Sequence, residues 1–271
     1  MKLLTVQDIS CYGQCSTTVA LPVLSSYGHE TVILPSAILS THTGGFHDFA
    51  IHDLTDQMPR IIDHWKSEGI RFDALYTGYI GDGRQFDYIL DIRASMLKAG
   101  GRFFVDPAMA DHGRLYYGLG QDIVEGMKRL CSVADCILPN ITEACYLTDT
   151  PYQEIQNEAF ITALLEKLIA LGAKQVILTG YQKGELLGAI SYDGLKRIEV
   201  MQKREYPSYH GTGDIFSSVI IGNLLNDADM KTTLEDATGF IVQAIQATRD
   251  DPEHWYGVKF EKLLYAKKRQ S

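Results

Sequence analysis

Several features that would place this sequence in a protein class at once are missing. No apolar run approaches the ~20 residues that a transmembrane helix needs. The N-terminal segment meets an acid at Asp8 before any long apolar core has formed, so we expect no secretory signal there. The five cysteines include no C-x-x-C pair, which favours reduced thiols over a zinc site or a disulfide framework. These absences predict a cytoplasmic protein.

Positive charge is also scarce. The net charge is −9, and the only basic cluster is Lys267-Lys268-Arg269, which we interpret as a solvated helix end. Binding to nucleic acid requires a basic stripe that neutralises phosphates. We therefore expect no nucleic-acid partner and no membrane partner.

Two common nucleotide-binding motifs are missing as well. The P-loop pattern G-x-x-x-x-G-K-[ST] does not occur, which excludes a Walker-type ATPase. The glycines of Gly78-x-x-Gly81-x-Gly83 stand in the wrong order for a dinucleotide fingerprint, and they follow the third predicted strand instead of the first. Any nucleotide must be held by other means.

What the sequence does contain is a regular alternation of β-rich and amphipathic helical runs. The predicted strands cover residues 3–7, 31–34, 74–77, 102–106, 136–139 and 175–179, and the predicted helices between them cover residues 17–27, 54–68, 85–99, 123–133 and 160–171. A hairpin follows at 187–192 and 195–201, and then helices at 214–225, 234–249 and 259–268. This alternation predicts an α/β fold with a central, mostly parallel sheet. With no linker and no repeat, residues 1–271 are predicted to form a single domain.

Polar clusters follow five of the predicted strands. They are Gln7-Asp8-Ile9-Ser10, residues 78–83, Asp106-Pro107, Pro139-Asn140 and Thr179-Gly180. In an open parallel sheet, ligands bind beyond the carboxyl ends of the strands. We therefore expect these scattered clusters to converge on one site.

The run Gly211-Thr212-Gly213-Asp214 opens an almost wholly apolar segment, residues 215–225. Glycine allows a tight turn and close approach to a ligand, and a helix that starts here aims its free N–H groups at whatever lies in front of it. The turn is thus a candidate anion hole for a phosphoryl group, with Asp214 as a candidate base. The alternative is a glycine-rich turn that only caps a core helix.

Two further groups of residues have both a functional and a structural interpretation. His42, His47 and His52 recur every five residues around Gly44-Gly45, a spacing that fits a mobile flap with one functional histidine better than a metal site. Asp106, Asn140 and Glu143 could anchor Mg²⁺, which favours carboxylates. Their structural interpretation is a strand-end turn for Asp106 and helix capping at residues 140–143.

The order and spacing of these motifs resemble those of the pyridoxal kinases, the vitamin B6 kinases of the ribokinase superfamily. The motifs that carry the resemblance are Ser10-Cys11-Tyr12-Gly13, residues 40–44, residues 77–81, residues 106–111, Asn140-x-x-Glu143 and Gly211-Thr212-Gly213-Asp214. It extends over about residues 1–250. The resemblance implies a ribokinase-like three-layer α/β/α domain that transfers the γ-phosphoryl group of ATP to the 5′-hydroxymethyl group of a B6 vitamer.

The resemblance also implies a role for each motif residue. Asp214 would be the catalytic base, and the N–H groups of Gly211, Thr212 and Gly213 would stabilise the phosphoryl charge. The implied vitamer-binding residues are Ser10, His42, Thr43 and Tyr79, together with Asp214. The implied ATP-binding residues are Asp106, Asn140, Glu143 and Thr179, together with Tyr116 and Tyr117 in a lid at 113–120, and the implied metal residues are Asp106 and Glu143. Members of the family use Mg²⁺, often use K⁺, and form homodimers.

Some positions depart from the family pattern and leave alternatives open. Residues 45–49 of the flap depart from the family pattern, and Cys11 and Tyr12 could alter the preference among vitamers. Tyr209-His210 stands where certain relatives carry an aldehyde-capturing cysteine. A hydroxymethylpyrimidine kinase of the same superfamily is the next hypothesis, and a sugar kinase is the third. A non-catalytic sensor of B6 or nucleotide is the alternative outside the enzymes, although a binder has no need of Asp214.

Overall fold

The computed structural model describes the backbone of residues 1–268 and the side chains of residues 1–264. The predicted exposure of Lys267-Lys268-Arg269 therefore lies outside the described residues. The strands are β1 (Lys2–Tyr12), β2 (Glu30–Thr41), β3 (Ile51–Asp53), β4 (Phe72–Thr77), β5 (Leu97–Val105), β6 (Ala110–Asp111), β7 (Arg114–Leu115), β8 (Cys136–Ile137), β9 (Val176–Lys183), β10 (Leu186–Tyr192) and β11 (Arg197–Lys203). The helices are α1 (Thr17–Ser26), α2 (Met58–Ser67), α3 (Arg84–Ser95), α4 (Gln121–Cys131), α5 (Ile141–Leu147), α6 (Glu158–Ala170), α7 (Thr212–Leu225), α8 (Met230–Thr248) and α9 (Glu261–Lys268).

Nine of these strands form one sheet in the order β11-β10-β9-β8-β5-β4-β1-β2-β3. The six strands from β9 to β2 run parallel to one another. The hairpin strands β10 and β11 and the edge strand β3 are antiparallel to their neighbours. The predicted mostly parallel sheet is therefore confirmed.

Helices cover both faces of this sheet. Alternate residues along each central strand point to opposite faces, so that Leu4 and Val6 pack under helices α2–α6 while Leu3 packs under α1, α7 and α8. The two buried clusters are separate layers of core, as a helix–sheet–helix sandwich requires. The predicted three-layer α/β/α fold is thus confirmed. Among the described residues, no helix is both long and apolar enough to cross a bilayer.

Three local features differ from the sequence-based expectation. The helix predicted at 85–99 ends at Ser95, because Leu97 pairs with Phe72 and extends β5 by several residues. Part of the predicted flap loop is the short edge strand β3. Strands β6 and β7 form a small hairpin that the sequence did not reveal. The helix expected to begin after Asn140 is found as α5.

The strand order contains a switch point at β1. The chain passes from β1 to β2 on one side and later returns to place β4 on the other side. Connections that leave in opposite directions open a crevice at the carboxyl ends of the two strands, which is where ligands bind in open α/β sheets. The polar cluster at 7–10 and the segment beginning at Gly78 both lie at this crevice.

Candidate active site

A cavity of about 910 Å³ opens at the carboxyl edge of the sheet. Neighbouring strands each bring polar side chains to it, since Ser10 lies near the carboxyl end of β1 and Tyr79 and Asp106 follow β4 and β5. The predicted convergence of the strand-end clusters is therefore found. All fourteen site residues proposed from the sequence line this cavity: Ser10, His42, Thr43, Tyr79, Asp106, Tyr116, Tyr117, Asn140, Glu143, Thr179, Gly211, Thr212, Gly213 and Asp214.

The glycine turn is built as an anion-binding element. Gly211 has a φ of 78°, and a Cβ atom there would lie 1.7 Å from the Gln14 carbonyl oxygen, so that only glycine fits. Helix α7 begins at Thr212 without a side-chain cap. Its first backbone hydrogen bond runs from the Ile215 N–H to the Gly211 carbonyl, which leaves earlier N–H groups of the helix free to meet an anion.

Asp214 lies in the first turn of α7 and faces the cavity while partly buried. Burial, together with repulsion by Asp106 and Asp8, raises the pKa of Asp214 to about 7, although a hydrogen bond from the Ser16 backbone N–H opposes the rise. A carboxyl group whose pKa lies near the working pH is suited to accept a proton from an alcohol. The electrostatics of the site thus fit a general base at this position.

Two more buried carboxyl groups lie beside it. Burial raises the pKa of Asp106 to about 6, although the Ser217 hydroxyl, which donates to Asp106 Oδ2 over 2.7 Å, opposes the rise. Burial and repulsion by Asp106 also raise the pKa of Glu143. A carboxylate pair of this kind, charged alike and removed from water, favours a cation nearby.

Glu143 also has the structural role that the sequence left open. The Asn140 side chain accepts a hydrogen bond from the Glu143 N–H at 2.9 Å, and Glu143 Oε2 accepts one from the Asn140 N–H at 2.8 Å. This reciprocal pair is a capping box at the start of α5. Glu143 Oε1 accepts a third hydrogen bond from the Met109 N–H at 3.2 Å. Both oxygens of Glu143 thus already bind backbone groups.

His42 lies at the cavity with both ring nitrogens engaged. Its Nδ1 accepts a hydrogen bond from the Gly44 N–H at 3.1 Å, so Nε2 carries the proton and donates to the Tyr256 carbonyl oxygen at 2.7 Å. Burial lowers the pKa of His42, which favours this neutral ring. His42 therefore fastens the flap to the C-terminal part of the chain. His47 and His52 are exposed, and among residues 1–268 no group of histidines, cysteines and carboxylates forms a metal cluster.

The cavity has two ends of different character. The end beside the flap is lined by Ser10, Thr43 and Tyr79. The other end is lined by Thr179 and by apolar side chains of α8, among them Ile241 and Ile245. Tyr116 and Tyr117 follow the β6–β7 hairpin, and Tyr117 is 92% exposed. Asp214 and the glycine turn line the same cavity as both of these groups of residues.

Sequence reasoning missed several residues of this cavity. Asp8, Cys15 and Ser16 line the flap end, and Ser217 binds Asp106 from the second turn of α7. Asp8 belongs to a polar cluster that the sequence did single out, and its spacing of two from Ser10 places both on one face of β1. Ser217 lies three residues after Asp214, on the same helix face. No local signal marked Cys15 or Ser16.

Comparisons with known proteins identify the family of this chain. The sequence profile of the phosphomethylpyrimidine kinase family matches residues 21–258. The crystal structure of a Bacteroides thetaiotaomicron protein assigned as a phosphomethylpyrimidine kinase, determined with pyridoxal, is 36% identical, covers 98% of this chain and 94% of its own, and superimposes with a TM-score of 0.92. For pyridoxal kinase from Lactobacillus plantarum the identity is 32%, the coverage 98% and 95%, and the TM-score 0.90. The pyridoxine kinase of Bacillus subtilis is 28% identical over 90% of this chain and 83% of its own. The chain therefore belongs to the phosphomethylpyrimidine kinase family of the ribokinase-like superfamily and lies among its pyridoxal kinases.

Proposed function

We propose that this protein is an ATP-dependent kinase that transfers the γ-phosphoryl group to the 5′-hydroxymethyl group of a B6 vitamer. The observation that carries the proposal is Asp214, a carboxyl group with a pKa near 7, at the start of a helix whose first N–H groups are free. Phosphoryl transfer needs positioning and charge stabilisation more than covalent chemistry. These two elements supply both.

In this mechanism Asp214 accepts the proton of the attacking hydroxyl group. The N–H groups of Gly211, Thr212 and Gly213 stabilise the charge that develops on the phosphoryl oxygens. The vitamer occupies the flap end of the cavity against Ser10, Thr43 and Tyr79. A few polar groups beside an aromatic ring suit a flat heteroaromatic substrate better than a sugar, which needs many hydrogen-bonding partners.

The nucleotide occupies the other end, against Asn140 and Thr179 and under Tyr116 and Tyr117. Asp106 and Glu143 fit Mg²⁺ because both are buried carboxyl groups whose pKa values are raised in the absence of a cation. Since both oxygens of Glu143 bind backbone N–H groups, Asp106 is the better direct ligand and Glu143 acts through water. Bound Mg²⁺ would neutralise charge on the phosphates.

The names of relatives support the vitamer as substrate. The L. plantarum protein is a pyridoxal kinase, the B. subtilis protein is a pyridoxine kinase, and the B. thetaiotaomicron structure contains pyridoxal. Hydroxymethylpyrimidine is the second candidate, because the matching family profile is that of phosphomethylpyrimidine kinases. We further propose, from the family resemblance, that residues 1–271 act as one kinase domain in a cytoplasmic homodimer with K⁺ as an activator.

The test is ATP consumption coupled to product detection on pyridoxal, pyridoxine, pyridoxamine, hydroxymethylpyrimidine and ribose, with Mg²⁺ present and with or without K⁺. We expect turnover on at least one B6 vitamer. Loss of a general base costs about 10²–10⁴ in rate, so Asp214→Ala and Asp214→Asn should lose that much in kcat. Asp63→Asn removes an exposed carboxylate of α2, away from the cavity, and should retain wild-type turnover.

Three other outcomes of these assays would each revise one part of the proposal. Turnover confined to hydroxymethylpyrimidine or ribose would move the substrate and keep the mechanism. Binding of pyridoxal without ATP turnover would favour a sensor. Near-normal turnover by Asp214→Ala would remove Asp214 as the base.

A further inference from the structure

Asp8 is a buried carboxyl group at the flap end of the cavity that the mechanism above does not use. It is 3% exposed, lines the cavity, and lies where the pairing of β1 with β2 shifts between Gln7 and Ile9. The extra residue of this irregularity lies in β2, which advances three residues from Pro35 to Ile38 while β1 advances two, so that Asp8 has no paired residue in β2. Asp8 and Ser10 are two residues apart and therefore share one face of β1.

The hydrogen bonds around Asp8 determine what Asp8 and Ser10 can offer a ligand. Ser10 Oγ lies 2.8 Å from Asp8 Oδ2. An ionised carboxylate has no proton to give, so the proton in this bond belongs to Ser10. The Ser16 hydroxyl also hydrogen-bonds Asp8. With its hydroxyl proton committed, Ser10 has only lone pairs left for the cavity, and Asp8 adds only more acceptor sites.

No cationic side chain of residues 1–264 balances this carboxylate. Among the described residues, no lysine, arginine or histidine acts on Asp8, and the charged group with which it interacts across the cavity is Asp214. Burial of an unpaired carboxylate is costly, and a cationic hydrogen-bond donor offsets that cost. The flap end therefore lacks a positively charged hydrogen-bond donor. A ligand that carries such a donor would supply the missing charge.

We propose that Asp8, acting with Ser10, is a specificity-determining pair that selects a heteroaromatic substrate whose ring nitrogen carries a proton. This inference rests on the proposed function, because the basic ring nitrogen belongs to the B6 vitamers and to related hydroxymethyl heteroaromatics. A neutral ring nitrogen is an acceptor and would face two further acceptors. A protonated ring nitrogen donates to the pair and brings the missing positive charge.

The test compares two ligands in two proteins. The ligands are pyridoxine and its benzene analogue, in which C–H replaces the ring nitrogen, and the proteins are the wild type and Asp8→Asn. Asparagine keeps the size of the side chain and removes its charge. A hydrogen bond between charged groups is worth enough to change affinity by about 10- to 100-fold. Calorimetric titration should show that loss for pyridoxine in Asp8→Asn and no more than about a twofold change for the benzene analogue.

The matched control is Asp73→Asn, which removes a carboxylate that binds Lys2 and Lys98 at the opposite edge of the sheet. It should leave the affinity for both ligands unchanged. If Asp8→Asn weakens both ligands equally, its role is structural, and if it weakens neither, the pair does not recognise the nitrogen. Either result overturns the inference. In turnover assays we expect the effect in KM, with kcat changed by only about a few-fold.

A second measurement needs no variant and stands even if Asp8→Asn fails to fold. The near-ultraviolet absorption of a 3-hydroxypyridine differs between its ring-protonated and ring-neutral forms. Pyridoxine bound to the wild type should show the ring-protonated spectrum, and a neutral spectrum would contradict the inference. If the wild type phosphorylates vitamers but binds them neutral, only this inference fails. If the wild type binds no vitamer, the proposed function fails and the inference fails with it.

Discussion

Gly211 is the residue whose backbone geometry the proposed chemistry needs most. Its φ of 78° is a left-handed conformation that costs other residues roughly 1–2 kcal/mol. In addition, a Cβ atom would lie 1.7 Å from the Gln14 carbonyl oxygen, which is backbone and cannot move aside cheaply. We therefore expect Gly211→Ala to lower the free energy of unfolding by more than about 2 kcal/mol and to reduce kcat, as chemical denaturation and turnover assays would measure.

Gly28 provides the matched control for this substitution. It has a similar φ of 85°, but a Cβ atom there would meet nothing within 4 Å. Gly28→Ala should therefore cost only the backbone contribution of roughly 1–2 kcal/mol and leave kcat unchanged. Equal destabilisation by the two variants would mean that the contact with Gln14 is relieved by a small backbone shift.

At single positions, the sequence predicts backbone geometry well where one residue type has few possible uses. The turn at 211–214 was predictable because two glycines before an acid and an apolar helix leave few alternatives. Asp8 was not predictable as a buried site residue. Its environment depends on the shift in pairing between β1 and β2 and on Ser16, which lies at the start of α1. His42 was placed correctly at the cavity, but its partner, the Tyr256 carbonyl, lies 214 residues away.

At the scale of elements, the flap between β2 and β3 depends on the segment between α8 and α9. The Phe46 ring packs against Trp255 with centroids 4.6 Å apart, and the His42 ring packs against Phe46 at 5.0 Å. Gly45 adds to this close fit, since a Cβ atom there would lie 3.0 Å from the Trp255 ring. The C-terminal segment therefore holds the flap beside the proposed vitamer pocket.

Loss of this packing should weaken vitamer binding. An aromatic pair contributes about 0.5–1.5 kcal/mol beyond the area that it buries, which corresponds to about a 2- to 10-fold change in an equilibrium constant. We expect Trp255→Ala to raise KM for the vitamer by that factor, to leave KM for ATP unchanged, and to speed limited proteolysis within the flap. Steady-state kinetics and timed digestion would measure these effects.

Two further variants serve as controls for the effect of Trp255→Ala. Trp255→Phe keeps an aromatic ring and should restore most of the affinity. Leu195→Ala truncates a side chain that is 97% exposed between β10 and β11, and it should change neither KM nor digestion. Unchanged kinetics in Trp255→Ala would mean that the hydrogen bond from His42 to Tyr256 holds the flap by itself.

The elements that the sequence failed to predict share a physical cause. Strand β3 has three exposed residues, and β6 and β7 have two residues each, so none of them has enough periodicity to produce a signal. They exist because neighbouring strands and turns bring their backbones together. The long central strands were predictable, since burial on both faces selects continuous apolar runs.

At the scale of the whole molecule, the cavity gathers negative charge within a chain that is already acidic. Asp8, Asp106, Glu143 and Asp214 all line it, and burial is the leading reason that the pKa of each is raised. This concentration could not be foreseen from the net charge of −9, because the four acids come from four distant segments. A folded protein of this kind stores electrostatic repulsion at its site, which a bound cation can relieve.

That repulsion predicts how stability depends on pH. Asp214 has its ordinary value of 3.8 when unfolded and a pKa of about 7 when folded. Between these values the folded protein binds more protons than the unfolded chain, so this group lowers the free energy of unfolding as the pH rises from about 4 to about 7.

The side chain of Asp214→Asn cannot ionise, so this variant does not lose stability over that pH range. We expect Asp214→Asn to be more stable than the wild type by about 1–3 kcal/mol at pH 7.5, with the difference shrinking toward pH 4, in urea titrations without ligand. Asp63→Asn should follow the wild type throughout, and a difference that is constant with pH would show that ionisation of Asp214 is not its cause.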